Sequence, residues 1–75
     1  MRYYLTDKEA ARRAGFAMAG RVTTRGKVWI NEKELMTCGA LTGTTAEARA
    51  AQIGAETYSA SEAKYQIRIG NRKKR

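Results

Sequence analysis

Three times along this chain a Thr or Ser stands three residues before a Glu: Thr6 and Glu9, Thr44 and Glu47, Ser59 and Glu62. This is the spacing of a capping box, in which hydroxyl and carboxylate satisfy N–H groups that a helix start leaves without partners. Between the first two boxes lies Val28-Trp29-Ile30, a β-prone run. Helix starts that flank a strand restrict the chain to a mixed α+β architecture. With 75 residues there is room for one domain, and a domain of this size buries only about 60% of the surface its unfolded chain exposes. Staples are missing. Cys38 is the only thiol and His is absent, so neither a disulfide nor a structural zinc site is expected.

The first helix is expected to start at Thr6, with Asp7 and Glu9 complementing its dipole and Glu9 facing Arg13 at i,i+4. At about 100° per residue, Ala10, Ala11, Ala14, Ala17 and Met18 share a face and Phe16 falls opposite. Either the helix breaks at Gly15 and Phe16 turns into the core, or it continues and exposes the only Phe at a partner surface. The break is preferred.

Residues 22–37 read as a hairpin or meander, with Asn31-Glu32-Lys33 as the turn and residues 34–37 returning. Val28 and Ile30 face the core. Trp29 points to the other side, as a stacking platform, a partner anchor or ordinary packing against a helix. Thr44 caps an Ala-rich helix that stops at Gly54, and Glu56-Thr57-Tyr58 is a short strand. Residues 60–70 form either a helix that aligns Ala63 and Ile67, or a strand that aligns Tyr65, Ile67 and Ile69. Period slightly favours a strand over 64–69. The expected fold is a single α+β domain over residues 1–71, followed by a mobile basic tail over 72–75.

Net charge is +8, with +5 in residues 1–27, −1 in residues 28–71 and +4 in residues 72–75. Clustered positive charge is the electrostatic footprint of a nucleic-acid binder, and it also serves solubility. Catalysis is not expected: there is no His, no carboxylate pair on one element, and nothing beside Cys38 to activate it. Residues 39–45 lead into a helix N-terminus and can cradle a phosphate, although the Lys of a P-loop is missing. No apolar run reaches the roughly 18 residues of a membrane span, and no secretory signal is visible. Cytoplasmic residence without cofactor or metal is the expectation.

Leu5-Thr6-Asp7-Lys8-Glu9-Ala10-Ala11 followed by Gly15-Phe16 resembles the opening of excisionase-type helix-turn-helix domains, relatives of the MerR winged helices. Arg25-Gly26-Lys27-Val28 is similar to the basic Gly turn before their wing, and equally suits a tight turn between two strands. The likeness covers about a third of the chain. It departs at residues 17–24, which are about two residues short for the family's second helix and contain Gly20 and Val22-Thr23-Thr24. The resemblance implies that residues 17–24 approach a major groove. Arg21 and Arg25 would then read bases or phosphates, and Lys27 would touch backbone.

Arg12 and Arg13 suit phosphate contacts, and Arg72, Lys73, Lys74 and Arg75 would follow a groove. A small nucleic-acid-binding protein of a phage or mobile element is therefore the first expectation, with DNA ahead of RNA. The second is a small phage-type inhibitor or interaction protein that binds a host protein or an anionic nucleotide, with Trp29, Phe16 and the paired Tyr residues as anchors. A ribosome-associated role rests on charge alone. A homodimer is compatible with so small a core.

Overall fold

Strand β1 (Arg2–Asp7) is the centre of a four-stranded antiparallel sheet. A computed structural model describes the backbone of residues 1–73 and the side chains of residues 1–69. β3 (Lys27–Asn31) and β4 (Glu56–Ser59) flank β1, and β2 (Thr23–Thr24) lies outside β3, giving the order β2-β3-β1-β4. The β1–β3 register sets Tyr4 opposite Ile30, Leu5 opposite Trp29 and Thr6 opposite Val28. Alternation along each strand then divides the sheet into two apolar faces.

One face, carrying Tyr4, Val28 and Ile30, is covered by α1 (Lys8–Arg13), α2 (Glu32–Thr37) and α3 (Ala46–Gln52). Ala11, Phe16, Leu35, Leu41 and Ile53 complete that core. The other face, carrying Leu5 and Trp29, is covered by α4 (Ala60–Lys73) through Ala63 and Ile67. The sheet is thus the middle layer of three.

Several expectations hold at residue level. The first helix ends before Gly15, whose φ of +95° is the left-handed value a helix stop uses. Phe16 N–H then bonds Ala11 O at 3.1 Å and Gly15 N–H bonds Arg12 O at 3.0 Å, which turns Phe16 into the core. Val28 and Ile30 do face one core while Trp29 faces the other way. Arg25-Gly26 is the tight turn between β2 and β3, with φ of +53° and +79°. Two successive positive φ values match the right-handed twist of a hairpin.

Other expectations are overturned. Thr6 is not a helix cap. It belongs to β1, is buried, and its hydroxyl donates to Ile53 O at 2.7 Å, tying β1 to the end of α3. Asp7 holds the N-cap position without a side-chain cap bond, and Glu9 pairs with Arg12 rather than Arg13. Thr45, not Thr44, caps α3 by accepting from Ala48 N–H. Asn31 does not open a turn but caps α2, accepting from Glu34 N–H at 2.7 Å, so residues 34–37 are helical instead of a returning strand.

The largest difference is α4. Residues 64–69 are helix, not strand. Ser59 and Glu62 form the reciprocal capping box, with Glu62 N–H donating to Ser59 Oγ and Ser59 N–H donating to Glu62 Oε1, both at 3.3 Å. The helix wins because Leu5 and Trp29 need an apolar cover and Ala63 and Ile67, at i,i+4, supply it. Arg72 and Lys73, expected in a mobile tail, are therefore on the last turn of a helix, while Lys74 and Arg75 lie outside the described residues.

Trp29 is pinned on that second face. Its indole N–H donates to Thr24 Oγ1 at 2.8 Å, and its ring meets Tyr58 edge-on at 5.2 Å between centroids. Both polar atoms of the Trp29–Thr24 bond are buried, so removing the acceptor strands a donor. Thr24→Val is expected to destabilise the fold by about 1–2 kcal/mol, and Thr24→Ser to recover most of that. Urea unfolding followed by Trp29 emission checks both.

Candidate functional site

A basic chain must distribute its cations, and the fold engages several of them internally, Arg12 and Arg21 of the expected ligand contacts among them. Arg2 pairs with Glu47 at 3.0 Å and Arg12 with Glu9 at 2.9 Å, both exposed. Arg49 is structural: its guanidinium donates to Gly43 O at 2.7 Å, Cys38 O at 2.8 Å and Leu35 O at 3.1 Å, closing the loop between α2 and α3.

Arg21 is the clearest correction. Its side chain is only 12% exposed and forms a two-pronged ion pair with Glu34. The same guanidinium donates to Ala17 O at 2.6 Å and Trp29 O at 2.9 Å, and it lies 5.9 Å from the centroid of the Phe16 ring. Its guanidinium is thus taken up by Glu34 and two backbone carbonyls within the chain. Residues 17–24 contain a turn and β2 rather than a second helix, so nothing there forms the recognition helix that the excisionase likeness implies.

Trp29 is 5% exposed and Phe16 8% exposed; both belong to cores, and neither is available to a base or a partner. Tyr4 is fully buried and is not an anchor, while Tyr3 is half-buried. In the loop expected to cradle an anion, the Thr42 and Gly43 N–H groups both donate to Gln52 Oε1 at 3.2 Å. Cys38 is half-buried, with its thiol 3.2 Å from Ala14 O. Among the described residues no cluster of His, Cys, Asp and Glu can hold a metal ion. No described helix is long and apolar enough to cross a membrane.

Two basic regions remain. Arg25 sits exposed at the tip of the β2–β3 hairpin, with Lys27 half-buried beside it. A left-handed backbone at Arg25 is a position that turn chemistry ordinarily gives to Asn or Gly, so a long cation there is held at a conformational cost. Lys27 faces Asp7 across the β1–β3 register, which moderates the charge. Arg13 is exposed at the end of α1, in the turn after Lys8 and Glu9.

The second region is larger: the sequence pointed to Arg72, Lys73, Lys74 and Arg75 at its end, but not to Lys64, Tyr65 and Arg68 before them. From residue 64 to residue 75 the chain has six cations and no carboxylate. Lys64, Tyr65 and Arg68 are exposed on α4, and Arg72 follows at the same four-residue spacing. These positions repeat about every 6 Å along the helix axis. The signal was present in the sequence: the Ser59–Glu62 box, the Ala63/Ile67 pair and the 64/68/72 spacing all agree once the segment is read with a helical period.

Lastly, a cleft of about 360 Å³ opens beside the Arg21–Glu34 pair, with Tyr3, Val22 and Ile67 on its apolar walls.

The ion pair holds the Glu34 carboxyl below its ordinary value, chiefly through the hydrogen bonds from Arg21. A lowered folded-state pKa contributes stability above the unfolded value, near 4.5, and that contribution disappears as pH falls through the folded value. Glu34 is 34% exposed, so screening limits its contribution to about 1 kcal/mol. Glu34→Gln is expected to lower stability by that amount at pH 7 and to flatten the loss of stability below pH about 4.5. Denaturant midpoints of both proteins across pH 3–7 check it.

Searches against protein-family models, curated proteins and solved structures find no match to this chain.

Proposed function

We propose that this chain binds nucleic acid, contacting phosphates through the outer side of α4 and the basic residues that follow it. The observation that supports this most is the run from residue 64 to residue 75, six cations without a carboxylate, opening on a helix whose inner side is already occupied by the sheet. Among the described residues neither Lys64 nor Arg68 is in an ion pair. Cations close to a helix C-terminus also favour the helix dipole, but that effect falls off within a turn and does not call for a row extending back to Lys64.

The Arg25–Lys27 turn is the second contact. Strand alternation puts Lys27 on the sheet face that α4 covers, so both basic regions belong to one side of the domain. Arg12 and Arg13 on α1 are exposed but belong to the opposite face; they contribute to long-range attraction more than to the docked contact. In this reading DNA and RNA share the same phosphate chemistry.

A docking role toward a protein is the second reading, favoured by the cleft where Val22 is 46% exposed. It has lost Trp29 and Phe16 as anchors.

Fluorescence anisotropy with labelled oligonucleotides across a salt series tests the proposal. The intact chain is expected to bind with a steep negative slope of log affinity against log salt. Lys64→Gln with Arg68→Gln is expected to make the slope shallower by about 1.4–1.8, since each phosphate contact contributes about 0.7–0.9. An unchanged slope and affinity in the double variant would remove α4 as the interface.

A further inference from the structure

We infer that the strand held against α4 is single-stranded nucleic acid, with Tyr65 as the ring on which a base stacks; this rests on the nucleic-acid reading above. The chain has four Tyr residues. The fold uses three of them. Tyr4 is buried in the first core, Tyr3 packs against the second, and Tyr58 sets its ring against Trp29 and its hydroxyl on Glu56. Tyr65 is 61% exposed on a helix surface, where a Lys, Glu or Ala would favour the helix more. No aromatic, cation–π or hydrogen-bonding contact of the described residues involves it.

Position adds what exposure alone lacks. Tyr65 is three residues before Arg68, a spacing at which side chains neighbour each other on a helix, and Lys64 is exposed one turn before Arg68. The two nearest carboxylates in sequence are otherwise engaged, Glu62 in the Ser59 capping box and Glu56 with Tyr58. An exposed aromatic ring beside cations is the arrangement that holds a single strand: the cations follow the backbone and the ring accepts a base.

In duplex DNA the bases are already stacked on each other, and a Tyr ring offers little to the donor and acceptor pattern of base edges. Phosphate contacts by Lys64 and Arg68 would serve a duplex as well, so the ring is what discriminates. Stacking tolerates any base, and the binding is therefore largely independent of sequence.

The test compares a 12-nucleotide oligothymidylate with a 12-base-pair mixed-sequence duplex, each labelled, against the intact chain, Tyr65→Ala and Tyr65→Phe. Trp29 emission verifies that the variants are folded, which an exposed position should allow. The expected result is a loss of about tenfold or more in single-strand affinity for Tyr65→Ala, near-full retention for Tyr65→Phe, and no change on the duplex. Salt-dependent binding in which Tyr65→Ala leaves single-strand affinity unchanged, or lowers both probes equally, overturns this inference and leaves the nucleic-acid reading standing. No salt-dependent binding to either probe overturns that reading as well.

Discussion

The burial of Trp29 is the constraint from which the rest of this domain follows. β3 delivers Val28 and Ile30 to one core and Trp29 to the opposite face, because side chains alternate along a strand. A Trp side chain buries on the order of 200 Å², too much to leave in water in a domain with so small a core. The indole N–H is satisfied by Thr24, which fixes β2 at the sheet edge, and Tyr58 on β4 closes one side of the ring. What remains is a roof. Ala63 brings the α4 backbone close, Ile67 extends the cover, and the third layer of the fold results.

The roof has a consequence for charge. A helix that gives Ala63 and Ile67 to the sheet must turn Lys64, Tyr65 and Arg68 outward. Elsewhere several arginines are engaged within the domain, Arg2 by Glu47, Arg12 by Glu9 and Arg21 by Glu34, with Arg49 turned onto backbone carbonyls, while Arg13, Arg25 and Lys27 are in no ion pair among the described residues. The N-terminal third carries +5 in sequence, and two of those charges are matched by Glu47 and Glu34 from outside it. Along α4 the charge is not matched. The proposed contact with nucleic acid follows from that imbalance rather than from total charge.

Several signals were readable where the partners of a residue are close in sequence. Gly15 as a helix stop, the alternation of Val28, Trp29 and Ile30, the Arg25-Gly26 turn as one of two readings, and the α+β class all belong to that group. Thr6 was misplaced because its partner, Ile53 O, is far along the chain, and because β1 is held by strands on both sides. Nothing within five residues of Thr6 shows either contact. Asn31 was taken for a turn because Asn serves turns and caps alike, and only the burial of Leu35 decides between them. For α4, alternating Tyr65, Ile67 and Ile69 suggested a strand, but the sheet was already complete and lacked a cover. Arg21 was read as a ligand contact since its partner Glu34 lies beyond a hairpin.

Whether residues 64–69 are helix or strand decides both the third layer and the cationic face. Backbone NMR chemical shifts of the full chain, combined with nuclear Overhauser contacts to the Trp29 ring, measure it directly. Continuous helical Cα shifts from Ala60 through Ile69, with contacts from the Ala63 methyl to the indole, are the result this account requires. Extended-chain shifts across 64–69, or an indole without contacts to Ala63, would contradict it.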